Sequence, residues 1–175
     1  MKITLVRIQQ ATYLDSRQCS QRRTLYSYTK DDEPLNEFYK YLENEQLKLH
    51  SGHRIVVVRL MDLLIKSGFK RSLMDSDGNP EQRTFKLRDH GTPGEDGLRL
   101  FGLWFSDNLF VVGNAGLKPK DAAHRKTENN IELKRARDEL AAIQTAIRAW
   151  PGYRLIDGKS DFSGLPDHFE IQEIF

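Results

Sequence analysis

The chain has 175 residues and a mass of 20.3 kDa, with 38% hydrophobic and 30% charged residues and a formal net charge of +2. That is enough apolar material for one core. It excludes global disorder, a bilayer-spanning run of about 18 to 20 apolar residues, and, with Cys19 as the single cysteine, a disulfide framework or Cys-rich zinc cage. The opening MKITLVRIQQ lacks the apolar stretch and small-residue cleavage site of a signal peptide, so a cytoplasmic protein is expected.

In chain order, Ile3 and Leu5 predict a strand over residues 2–8, followed by a polar stretch, 9–21, with no clear period. Thr24–Tyr28 is β-branched and aromatic and predicts a second strand. Pro34 is placed in the first turn of a helix carrying Leu35, Phe38, Tyr39 and Leu42 at helical spacing. A second helix is expected over Gly52–Ser67, apolar on more than one side, with Gly68 as its stop. The middle of the chain reads as β. Phe69–Met74 leads into a turn cluster at 75–80, and Arg83–Arg88 alternates. Leu98–Phe105 and Leu109–Asn114 form a hairpin around Ser106-Asp107-Asn108. A long helix then begins between Asp121 and Glu128. Its stripe is Leu133, Ala136, Leu140, Ile143, Ile147 and Trp150, and Pro151-Gly152 ends it. A short strand at Tyr153–Ile156 closes the reading. This order predicts an α+β fold, an antiparallel sheet flanked by helices, in a single domain over 1–175.

The near-neutral total hides a gradient. Residues 1–30 hold six Lys or Arg against Asp15 alone, and residues 118–137 hold seven against Asp121, Glu128 and Glu132. The tail, 151–175, holds two against five acids. Such asymmetry points to an anionic partner, or else to solvated faces. If the tail covers the basic face, it does so as a cis-acting shield. No metal motif, P-loop, nucleophile elbow or dinucleotide fingerprint is present, so no metal and no cofactor are expected. What remains is cationic. Lys86 and Arg88 share one face of a strand, Arg99 lies on the next strand, and Lys118 and Lys120 follow the hairpin, ahead of His124, Arg125 and Lys126. If the strands form a meander, these cations converge. Fixed cations on a rigid face bind phosphate and stabilise charge that develops on phosphorus. Surface salt bridges with Asp89, Asp96 and Asp121 are the other reading.

Several segments, in order, match a known pattern: Leu25-Tyr-Ser-Tyr28, Pro34-Leu-Asn-Glu-Phe38, Gly68-Phe69, Phe85-Lys-Leu-Arg88, Leu98-Arg-Leu-Phe101, Asn108-Leu-Phe-Val-Val112, Lys118-Pro-Lys120, Lys126-Thr127 and Ile131-Glu132 ahead of Ala136-Arg137. Over about Arg23–Ala142 the chain resembles the RelE/HigB-type toxins of bacterial toxin–antitoxin modules, in particular the phage-associated HigB-like branch. The resemblance implies a microbial-RNase-like RelE/ParE-type fold over 22–150, with an N-terminal extension, 1–21, and an acidic C-terminal extension, 151–175. It implies metal-independent cleavage of mRNA, often in the ribosomal A site, and a cognate antitoxin as partner. In that chemistry the ribose 2′-OH attacks the neighbouring phosphate, with a base, cations and an acid assisting. Carried over by position, Lys86 is base or charge stabiliser, Arg88 a phosphate contact, and Arg99 the holder of the scissile phosphate. Lys118 and Lys120 steady the leaving group, while Arg125 and Lys126 contact RNA. His90 and His124 are reserve acid/base groups, their unperturbed pKa lying near the working range. The chain departs from the pattern in its extra ends, its long 90–97 loop and Glu128 in place of a proline. Two rivals therefore stand: an inactive RelE-like module that binds RNA or protein, and an enzyme of another class.

Overall fold

The computed structural model describes residues 2–76, 84–88, 97–118, 131–149 and 168–172. Strands β1 (Lys2–Leu14) and β2 (Ser20–Lys30) form a long hairpin. The helical segment follows as α1 (Glu37–Glu43), α2 (Glu45–Lys48) and α3 (Gly52–Asp62), which runs on into a π-turn at Leu63–Ser67. After a 3₁₀ turn at Arg71–Leu73 come β3 (Asp75–Ser76), β4 (Thr84–Arg88), β5 (Gly97–Ser106) and β6 (Leu109–Lys118). Helix α4 (Ile131–Ala149) and strand β7 (His168–Gln172) complete the described chain. The strands form one sheet in the order β3-β4-β5-β6-β2-β1-β7. The fold is α+β.

The sheet is mixed, not antiparallel throughout. β2 and β6 run parallel, with Leu25 opposite Phe110, and the path from one to the other carries α1 to α3 and the strands β3 to β5. A parallel pair needs such a crossover, whereas the sequence reading considered only hairpin connections. The polar stretch 9–21 is not irregular either, since most of it lies in β1 and β2. A bulge between Arg7 and Gln9 shifts the register. Ile3 and Leu5 are buried toward α4, whereas Ile8 and Ala11 pack toward α1 and α3. A bulge that switches the inward parity erases any single period through the strand.

Two cores sandwich the sheet. On one face, Leu25, Leu87, Leu98, Leu100 and Phe110 pack with Phe38, Tyr41, Val56, Leu60 and Leu64 of the helical segment. On the other, Tyr26, Tyr28, Phe101, Leu103 and Val111 pack with Leu133, Ala136, Leu140, Ile143 and Ile147. The α4 stripe is thus the expected one, and Trp150 lies outside the described residues. Burying each Leu or Ile of that stripe contributes about 2 kcal/mol, which is what holds a helix with charged outer positions on the sheet.

The first helix starts later than expected. Asn36 is its N-cap, its side chain accepting the Tyr39 N–H at 3.0 Å, and Pro34 precedes the cap. Gly68 does end the second helix. Its φ of +78° suits a residue without Cβ, and its N–H closes the π-turn on the Leu63 carbonyl at 2.8 Å. The expected helix start within 121–128 and the tail strand at 153–156 lie outside the described residues. No described helix is long and apolar enough to cross a membrane.

Candidate functional site

Side chains alternate along a strand, and directly opposed residues share a face. On β4 and β5, Leu87, Leu98 and Leu100 are buried against the helical segment. Lys86 and Arg99 therefore belong to the α4 face, as Phe101, the register partner of Lys86, does. Position 88 is the register partner of Arg99, Arg99 in turn faces Gly116, and Lys118 faces Gly97. Lys86, at the middle of β4, Arg99, near the start of β5, and Lys118, at the end of β6, thus come to one face of three adjacent strands, which are spaced about 4.8 Å apart. Asp75, on the short edge strand, is in register with Lys86.

Two glycines shape this row. The Arg99 side chain leans back over Gly97, where Nη1 donates to the Leu98 carbonyl at 2.9 Å. A Cβ at Gly97 would stand 2.8 Å from that nitrogen, so the missing side chain is what admits the guanidinium. A Cβ at Gly116 would stand 2.8 Å from Leu133 Cδ2, so the start of α4 rests directly on β6 beside Arg99's register position. Lys134 and Arg135 are exposed on this first part of α4, and Arg137 is half-buried, 3.5 Å from Asp138. The arrangement offers several fixed cations around one face of a rigid sheet. It suits binding a phosphodiester and stabilising negative charge on it.

Of the other expected site residues, Lys120, Arg125, Lys126, His90 and His124 lie outside the described residues. His50 and His53 serve the α2–α3 corner. His50 Nδ1 accepts the Gly52 N–H at 3.0 Å, and the His53 ring stacks on Tyr41 at 4.6 Å between centroids. Among the described residues, no group of three or more His, Cys, Asp or Glu could hold a metal ion.

The basic N-terminal segment divides in the structure. Lys2 pairs with Asp32 at 2.8 Å, Lys30 with Glu139 at 2.9 Å, and Arg23 is buried, while Arg17 and Arg22 are exposed. The described part of the acidic tail is also far from the cationic row, because β7 pairs with β1 and lies three strands beyond β6.

The sequence reading missed a polar cluster joining α4, β2 and α1. Tyr28 donates to Glu139 Oε1 at 2.6 Å, and Asn114 Nδ2 reaches the same oxygen at 3.3 Å. Lys30 lies 3.6 Å from the buried Glu37, which Lys40 meets at 2.7 Å while also bonding Glu33. Burial pushes the Tyr28 hydroxyl well above its usual range, and the Glu139 charge and hydrogen bond add to this. Burial opposes the charge of Lys30, but its hydrogen bond and attraction to Glu139, with Glu37 behind, raise its pKa overall. Nearby, burial pushes Tyr26 up to about 12 against the opposing charge of Arg7. The available signal was Glu139 itself, an acid three residues after Ala136 and four before Ile143, at the margin of the apolar stripe.

Set against family models, curated proteins and solved structures, the chain matches none.

Proposed function

We propose that the chain is the toxin component of a type II toxin–antitoxin system, a metal-independent endoribonuclease that cuts mRNA on the ribosome in the cytoplasm and is held in check by a cognate antitoxin. The observation that carries this reading is the register placing Lys86, Arg99 and Lys118 on one face of β4, β5 and β6. Those segments resembling the RelE/HigB pattern that lie among the described residues fall, in order, on β2, α1, the end of the second helix, β4, β5, β6 and α4, and this supports a RelE/ParE-type core.

In the proposed reaction the 2′-oxygen of one nucleotide attacks the adjoining phosphorus. A new O2′–P bond forms and the P–O5′ bond breaks, leaving a 2′,3′-cyclic phosphate and a free 5′-hydroxyl. Arg99 holds the non-bridging oxygens as their charge grows, position 88 contacts the same strand of RNA, and Lys118 steadies the departing 5′-oxygen. Lys86 acts as base or charge stabiliser. His90 and His124 are the reserve acid/base groups, with Lys120, Arg125 and Lys126 as RNA contacts.

One observation favours a second reading. The row consists of two lysines and an arginine, with no histidine among its described residues, which suits an RNA- or protein-binding module as well as a nuclease. Expression decides between them. The chain induced alone in bacteria is expected to arrest growth with cleaved transcripts, and the Lys86→Ala/Arg99→Ala variant to grow normally. Normal growth at good soluble yield of the unaltered chain establishes the binding module. Arrest with an intact transcript pool points to an enzyme of another class.

A further inference from the structure

The β1–β2 turn, the end of the π-turn and the β5–β6 turn enclose an open cleft of about 690 Å³, within the size range of small-molecule sites. Its wall includes Tyr13, Arg23 and Gly68. Arg23 is 7% exposed. Its guanidinium carbon lies 3.7 Å from the centre of the Tyr13 ring, and Nη1 donates to the carbonyls of Leu64 and Ile65 at 3.4 and 3.2 Å. Among the described residues no carboxylate pairs with this guanidinium, and its Nε has no hydrogen-bond partner. A buried cation opposed only by two carbonyls and a ring face is an expensive arrangement, and an unsatisfied buried donor is a common mark of a bound water or ion. Gly68 keeps the wall close. A Cβ there would lie 3.3 Å from Arg23 Nε and 3.1 Å from the Asp107 carbonyl oxygen.

The mouth adds charge. Lys66 is exposed and pairs with Asp62 at 2.8 Å, while Lys70 is exposed and has no partner among the described residues. Two carboxylates also border the cleft. Asp15 is already engaged, as Oδ1 accepts the N–H groups of Arg17 and Cys19 at 2.9 Å each and Oδ2 accepts Gln21 Nε2 at 3.3 Å. Asp107 is exposed at the lip and opposes an anion there.

We propose that this cleft is a second anion site, which takes the phosphate group of a small ligand, with Arg23 supplying charge from the wall and Lys66 and Lys70 closing on the phosphate oxygens from the mouth. The site is separate from the cationic row. Arg99 and Asp107 stand eight residues apart along β5 and its turn, or about 25 Å at strand spacing. It therefore stands or falls independently of RNA cleavage. Free phosphate and a nucleotide are the two sources of this chemistry, and the cleft has room for either.

Amide NMR spectra of the full chain, titrated at low salt with inorganic phosphate and separately with adenosine 5′-monophosphate, test the site. Saturable shifts are expected at the amides of Ser67, Gly68 and Asn108. Equal affinity for the two probes assigns recognition to the phosphate alone, and tighter binding of the monophosphate assigns a nucleotide. Arg23 supports the π-turn after α3, so Arg23→Ala is expected to harm the fold, and the surface lysines carry the mutational test. Lys66→Gln/Lys70→Gln should weaken binding about tenfold, and Asp107→Asn should tighten it a few-fold. Arg99→Gln should leave it unchanged. The proposal is overturned if neither probe gives a saturable shift, if the double lysine variant binds as tightly as the unaltered chain, or if the shifts appear around Arg99 and Gly116 instead.

Discussion

Two groups of charged side chains lie toward α4, and they are built on opposite rules. Between α4, β2 and α1, Tyr28, Lys30, Glu37, Lys40 and Glu139 alternate donor and acceptor, each within bonding reach of a neighbour of complementary character. On β4, β5 and β6, Lys86, Arg99 and Lys118 bring one sign of charge onto adjacent strands. The first group closes the fold on itself. The second sets residues of like charge on one sheet face, an arrangement of the kind that attracts a polyanion. A tally of lysines and arginines along the chain shows neither the Glu139 carboxylate beside Lys30 nor the register that sets Arg99 between β4 and β6.

The contrast can be broken from either side. The largest effect is expected for Arg99→Ala, which should lower RNA cleavage about 100-fold while shifting the urea unfolding midpoint little. A matching loss of stability would move Arg99 into the structural group. Next is Glu139→Ala, which strands Tyr28 and Lys30. It should cost about 2 kcal/mol in urea denaturation, less than a fully buried pair because the Glu139 side chain is 22% exposed, with RNA cleavage per folded molecule unchanged.

Tyr28→Phe comes third, at about 1 kcal/mol near neutral pH for one lost hydrogen bond. It also sharpens the picture through pH. Tyr26, Tyr28 and Lys30 all have folded pKa values raised above their ordinary ones, with Tyr26 moving from 10.0 to about 12. The folded protein therefore holds these protons more tightly than the unfolded chain. Their contribution is fully present below about pH 10 and is lost as pH rises through the folded values. Urea midpoints should be flat from pH 8 to pH 9.5 and fall between pH 10 and 12, less steeply in Tyr28→Phe. A midpoint that rises over that range contradicts the cluster as described. The smallest effect is expected for Lys134→Ala/Arg135→Ala on α4. RNA binding should weaken a few-fold, and the slope of log affinity against log salt should drop by about one for each phosphate contact removed.

The sequence was most legible where one element buries one face. The α4 stripe from Leu133 to Ile147 follows from the helical period, and the β5–β6 hairpin follows from two apolar runs separated by Asp107-Asn108. Both signals are local, and local spacing is all that a sequence displays directly. β1 was cut short because a bulge at Arg7/Gln9 exchanges its inward faces, and β7 was missed because a short edge strand needs only a partner, here β1. The cationic row was half visible. The residue types and the antiparallel β4-β5-β6 run that aligns them follow from local signals, but the parallel pairing of β2 with β6 does not.

By itself, then, the sequence determined the α+β class, the helix stripe, the hairpin and the identity of the cations. Only the tertiary structure decided which cations share a sheet face and which acids Lys30 meets. Register sets the first, since a shift of one residue would send Arg99 to the face that now buries Leu98 and Leu100. Packing sets the second, since Lys30 and Glu139 are 109 residues apart in the chain and 2.9 Å apart in space. The net charge of +2 records neither, because a sum over the sequence carries no information about which charges become neighbours.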